Sequence, residues 1–190
     1  MNHFKMTNNV FIMNQKVLCS KRFFNITILL LMFTSGLLYA QEAKTITESK
    51  NELDVFWAEM SRSVIEGDFT NLTAAYHPDA VLVSGFKEAS YPVSKAFDEW
   101  KQGLLDTKMG KMKASVSFRF TQRLHDENTA HETGIYHYIS NPEQGQPRDN
   151  YVHFEMLLVK RNGWKLLMEY QKGPATEEEW DTAGSLSTHK

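Results

Sequence analysis

The chain has 190 residues, 21 Lys and Arg against 23 Asp and Glu, a formal net charge of −2, and 42 % hydrophobic residues. That balance lacks the basic excess of a nucleic-acid-binding surface, so no nucleic-acid partner is expected, while the apolar share suffices for one packed core. The single cysteine, Cys19, excludes an internal disulfide framework.

Residues 1–40 carry Lys5, Lys16, Lys21 and Arg22 and no acidic residue, followed by an apolar run from Ile26 to Tyr39 that closes on Ala40. A basic start, a short apolar stretch and a small residue at its end predict a signal peptide cleaved after Ala40, hence export to the periplasm or the medium. A membrane anchor is the competing reading, but spanning a bilayer takes about 20 apolar residues, so no stable anchor is expected after cleavage. A start at Met13 brings the signal into the usual range of about 15 to 30 residues. Loss of the four basic residues takes the net charge from −2 to −6 and removes Cys19.

After a short extension over 41–52, the apolar positions Leu53, Phe56, Trp57, Met60, Val64 and Ile65 form a helical stripe. Gly67-Asp68 interrupts it, and Asp68 can cap a second helix carrying Phe69, Leu72, Ala75 and Tyr76. Pro78 keeps His77 out of the helical region, so that helix ends near Tyr76. Ala80 to Ser84 reads as a strand, and a loop with Ser90 and Pro92 leads to a helix capped by Ser94. Its stripe is Phe97, Trp100, Leu104 and Leu105, and Gly110 follows its end. Met112 to Thr121 alternates strictly, as a strand with one wet face does. Thr129–Ser140, Asn150–Arg161 and Trp164–Lys172 complete a four-stranded antiparallel meander. Thr176 with Glu179 predicts a capping box in a tail over 174–190. Segregated helices and strands predict an α+β domain over 53–173: a cone-shaped, curved antiparallel sheet packed against N-terminal helices.

Asn162-Gly163 between the last two strands is a strong hairpin signal. A two-residue turn there pairs Arg161 with Trp164, Val159 with Leu166, Leu157 with Met168 and Glu155 with Tyr170, and paired residues share a face. Tyr151, His153, Glu155 and Tyr170 are thereby expected on the inner face, against the helices. The opposite face, with Val152, Phe154, Met156 and Leu158, is greasier than a solvated face should be and is expected to hold a homodimer together. Facing is left open for Glu132 and Tyr136, because the loop after their strand is too long to fix register. A carboxylate stripped of water must be paired, protonated or wet, so Glu155 and His153 are either a satisfied rim pair or the polar part of a ligand site. His131 and His137 lie six residues apart on one strand, about 20 Å at 3.3 Å per residue, and cannot share an ion; no metal is expected. Nucleophile-elbow and phosphate-loop motifs are absent, and no cofactor is expected.

The segments "EGDFTNLTAAYHPDAVLVSG", "AHETGIYHY" and "VKRNGWKLLMEY" resemble the nuclear transport factor 2-like superfamily, and within it the SnoaL-like group of exported bacterial proteins, over Leu53 to Trp180. The resemblance implies a cystatin-like roll, often dimeric through the outer sheet face, and an architectural role for His77 and Asp79. It also includes steroid isomerases, whose oxyanion hole joins a tyrosine to a protonated acid; that enzyme is a standard worked case of a carboxyl kept neutral. Aligned on these segments, Ser84 stands where the isomerase has its base, Met60 where it has its tyrosine and Glu155 where it has its acid, which disfavours that reaction.

These expectations converge on an exported domain binding an unknown small organic molecule in a cone lined by Trp57, Met60, Ser84, Trp100, Tyr136, Tyr151 and Tyr170, with His153 and Glu155 at its polar end. The alternatives are a cofactor-free isomerase, dehydratase or cyclase with Glu155 as acid and His153 as base or partner, and a protein-association module acting through the outer sheet face.

Overall fold

The computed structural model describes residues 47–185; the signal peptide, Cys19, the cut after Ala40 and the start at Met13 lie outside them. Helix α1 runs through residues 47–66, and its buried positions Ser49, Leu53, Trp57, Met60 and Ser63 recur every three or four residues. Phe56 and Val64 flank that stripe, whereas Ile65 lies outside it, exposed to solvent. Gly67 at φ +64° ends the helix, and the Asp68 side chain accepts from the amide of Asn71 to cap α2 (Phe69–Ala74).

Next come β1 (Tyr76–Ser84), β2 (Ala89–Pro92), α3 (Val93–Lys108), β3 (Met112–His125), β4 (Thr129–Pro142), β5 (Arg148–Lys160), β6 (Trp164–Pro174), α4 (Glu177–Thr182) and β7 (Gly184–Ser185). One seven-stranded sheet has the order β2-β1-β6-β5-β4-β3-β7. The predicted meander β3 to β6 is antiparallel throughout, and β1 joins it parallel to β6. The α+β curved sheet with N-terminal helices is as expected. Two local expectations fail. The segment around Ser90 is a strand paired with β1, and α3 starts at Val93 after Pro92 with no side-chain cap, so Ser94 lies inside the helix. Proline just before the first turn supplies the extended entry that Ser94 was expected to supply.

The hairpin turn holds Asn162 at φ +53° and Gly163 at φ +95°, the left-handed conformations that Asn-Gly tolerates. Yet Lys160, not Arg161, pairs with Trp164, and Leu158, not Val159, pairs with Leu166. An unpaired Leu167 then restores the expected pairs Leu157 with Met168 and Glu155 with Tyr170. A bulged residue reverses the alternation beyond it, so these pairs stand on the opposite face from the one expected. Val152, Phe154, Met156 and Leu158, expected outside, are buried inside with Trp164 and Leu166. The Trp57 ring packs on Phe118 at 4.6 Å, Phe120 at 5.6 Å and Phe154 at 6.1 Å. The Val152, Phe154, Met156, Leu158 set is therefore not the free outer face on which a homodimer was expected: it is buried in the core, with Phe154 against Trp57 of α1.

Two more bulges shape the sheet, at Thr121 in β3 and Lys172 in β6. Past Thr121, Arg123 turns inward, where its Nε donates to Glu132 at 2.5 Å and its other arm meets Asp54 of α1. Trp57 Nε1 donates to the second Glu132 oxygen at 2.5 Å. Trp57 is thus a core residue that pins α1 to β4, and Met60 is buried beside it in the same core.

Candidate functional site

The expected polar cluster does not form. Glu155 lies on the outer face, its carboxylate 3.0 Å from His131 and 3.5 Å from Lys172. The hydrogen bond from His131, aided by Lys172, holds its carboxyl below the usual range, so it is no neutral acid. His153 stands on the same outer face, 3.3 Å from Glu179 of the tail rather than paired with Glu155. Tyr151 stacks on His137 at 4.0 Å, and Tyr170 lies beneath Lys172, both outside the cone. The physical reason is common to all four: the extra residue at the turn and the Leu167 bulge invert the facing of β5 and of β6 beyond Leu167.

The inversion brings in Glu169 instead. It is 5 % exposed, and its Oε2 accepts from the Tyr76 hydroxyl at 2.5 Å while its Oε1 accepts from the Gln171 amide at 2.8 Å. Among the described residues no ion pair involves Glu169. Burial raises its pKa above the ordinary carboxyl value, and the two hydrogen bonds offset only part of that. Tyr76 is pushed well above its ordinary value, first by burial and then by the neighbouring Glu169. Tyr136, also on the inner face, is raised by burial and then by Glu169. A carboxyl and two phenols thus share one dry region, where burial favours the protonated form of each.

Aromatic rings frame this cluster. Tyr76 lies 5.2 Å from Phe97 and 6.2 Å from Trp100, and Phe97 and Trp100 are 6.0 Å apart. Trp100 and Tyr136 are only partly buried against the core, so the cluster borders solvent there. Ser84 is buried on the β1 strand, where its hydroxyl accepts from the amide of Lys87. Of the expected lining, then, Trp100, Tyr136 and Ser84 stand on the inner side of the sheet, Trp57 and Met60 are core, and Tyr151, Tyr170, His153 and Glu155 are outside. Glu132 also faces inward, but Arg123 and Trp57 satisfy it. At the corner before β1 the roles are local: the Asp79 amide donates to His77 Nδ1 at 3.2 Å, while the Asp79 carboxylate is exposed.

Sequence reasoning missed Glu169, Tyr76 and Gln171. One signal could have found them. Val152, Phe154, Met156 and Leu158 form the greasiest alternating set in the chain, and a set that apolar belongs against helices; Glu169 and Gln171 then follow on the same face of the neighbouring strand.

This architecture has known counterparts. The structure of a nuclear transport factor 2-like superfamily protein from Salmonella enterica serovar Typhimurium superposes with a TM-score of 0.52 at 16 % identity, over 70 % of this chain and 95 % of that one. A nuclear transport factor 2-like protein of unknown function from Prochlorococcus marinus gives 0.54 at 12 % identity, over 68 % and 96 %. A conserved protein from Planctomyces limnophilus gives 0.56 at 13 % identity, over 65 % and 94 %. The chain has the nuclear transport factor 2-like fold. No protein-family sequence model matches it, nor does any curated protein sequence.

Proposed function

We propose that the concave side of the sheet binds a small, uncharged organic molecule carrying a hydrogen-bond-accepting oxygen, with Glu169 as a neutral donor and Tyr136 beside it. The observation that carries this reading is a buried carboxyl hydrogen-bonded to a phenol and an amide and, among the described residues, in no ion pair. Burying such a group without a cation is costly, and carboxyls with raised pKa inside a concave, aromatic-framed region are more frequent at functional sites than elsewhere. Anionic ligands are disfavoured, because a second negative group would have to enter the same dry region. If the site is catalytic, Glu169 replaces Glu155 as the acid of a cofactor-free isomerase, dehydratase or cyclase, and Tyr136 supports the developing oxyanion.

Two measurements test it together. Titration of a panel of uncharged cyclic ketones and phenols, followed by tryptophan fluorescence, is expected to give saturable quenching. Glu169→Gln, still a donor, keeps it, whereas Glu169→Leu loses it; equal binding by the Leu variant overturns the reading. The pH dependence has a definite sign. The folded-state pKa of Glu169 is raised, so its contribution to stability is complete below the unfolded value of 4.5 and is lost as pH rises through the folded value. Glu169→Gln is therefore expected to remove a loss of thermal stability above pH 4.5, and parallel curves for both proteins would count against a buried neutral acid.

Export through residues 1–40 is part of the same proposal, supported by their basic start and apolar run. Protein isolated from its host is expected to begin at Gln41; an intact Met1 end refutes the cleavage.

A further inference from the structure

The chain's last described segment crosses the outer face of the sheet. From the end of β6 it leaves over Val152, the Ala175 amide donating to the Tyr151 carbonyl, forms α4 and pairs as β7 with Arg119 and Phe120 on the free edge of β3. Its path runs over β5, β4 and β3. Beneath it, Ile135 is 1 % exposed although its side chain is on the outer face.

What holds the segment is a set of contacts around one side chain. The Trp180 ring lies 4.5 Å from the Arg119 guanidinium, 5.5 Å from the His137 ring and 5.7 Å from the Tyr151 ring. Arg119 also donates to the Trp180 carbonyl at 2.6 Å and meets the Asp181 carboxylate at 3.3 Å, while His153 meets Glu179 at 3.3 Å. The sheet thus offers a cationic and aromatic cradle, and the segment Glu177–Asp181 offers an aromatic ring flanked by carboxylates. Charge and shape match as they do between a receptor and a peptide, with β7 adding a short strand at the sheet edge.

The same contacts are weak individually. Helix α4 is six residues long and buries none of them. Helices that short do not persist alone. Glu179 and Asp181 remain largely solvent-exposed at their ion pairs, and such pairs contribute little. One ring, two strand pairings at β7, a few hydrogen bonds and exposed ion pairs hold the segment, a small enough set for a second copy to replace.

From this we propose that the outer sheet face carries a recognition site for an aromatic residue flanked by carboxylates, that the chain's own 174–185 segment fills it in the resting state, and that the same segment of a second copy can take its place. Exchange of identical elements between copies is a low-cost route to a dimer, because it replaces each contact with its equal.

The test uses full-length protein and a fluorescently labelled synthetic peptide of residues 174–185. Wild-type protein competes through its own segment. Trp180→Ala empties the cradle of its ring and is expected to bind the peptide at least tenfold more tightly than wild type, read by fluorescence anisotropy. Adding Arg119→Ala to that variant is expected to remove the binding, and so is raising the salt concentration to 1 M. Should Trp180→Ala fold poorly, Glu179→Lys with Asp181→Lys removes the carboxylates that meet His153 and Arg119 and sets a cation against Arg119 without touching the core, and the same gain is expected. Equal peptide affinity for wild type and both released variants, or binding that survives Arg119→Ala, would show that the segment is a fixed part of the fold and overturn the proposal.

Discussion

Phe154→Ala is expected to destabilise the domain by about 3–5 kcal/mol, and Phe154→Lys to prevent folding. Phe154 is buried among Trp57, Phe118 and Phe120, with ring centroids 5.8 to 6.1 Å away, so truncation both buries less apolar surface and leaves a void that the three remaining rings cannot close. Natural domains are stable by about 5–15 kcal/mol, so the loss is a large share of the total. Leu158, with no exposed surface, is expected to behave alike. Tyr170 and Glu155, on the outer face, are the controls: alanine there is expected to change stability by under about 1 kcal/mol. Urea unfolding with an unchanged m-value measures all four. A well-folded Phe154→Lys that has merely lost self-association would restore the facing read from the two-residue turn and refute the observed one.

Glu132→Ala is the second large effect, expected at about 3–5 kcal/mol. Glu132 has no exposed surface, and its removal strands the Arg123 guanidinium and the Trp57 indole N–H in a dry core. Losing one member of a buried pair costs more than the pair contributes, because the remaining charge keeps its desolvation penalty. Asp54, also on Arg123, recovers part of it. Replacing both partners, Glu132→Leu with Arg123→Met, is therefore expected to be markedly less harmful than Glu132→Ala alone. A double-mutant cycle in urea checks this; single and double variants of equal stability would mean that the pair is not the element tying α1 to the sheet.

Much of the architecture follows from local chemistry. The α1 stripe, the Asp68 cap, Gly110 after α3, the strict alternation of β3, the left-handed Asn162-Gly163 turn and the Thr176–Glu179 capping box all act within a few residues, and each is present. The order of helices and meander, and with it the curved α+β sheet, needed nothing more. The candidate site was less legible. Trp100 and Ser84 stand on the expected side and Tyr136, whose facing was left open, joins them, but Tyr151, His153, Glu155 and Tyr170 were assigned through a register that one extra turn residue reverses. Period-two patterning has no memory of such insertions: one extra residue at the turn sends Glu155 outward, and one unpaired residue at Leu167 brings Glu169 inward, without altering composition.

The sequence by itself determined most of the segments that coil or extend and their order along the chain, because propensity, capping and turn chemistry are local. Only the tertiary structure decided which carboxyl lies dry beside Tyr76, which tryptophan is a pin rather than a wall, and that the acidic tail lies across the sheet. Those outcomes depend on strand register and long-range packing, where a one-residue shift trades one complete set of side-chain partners for another.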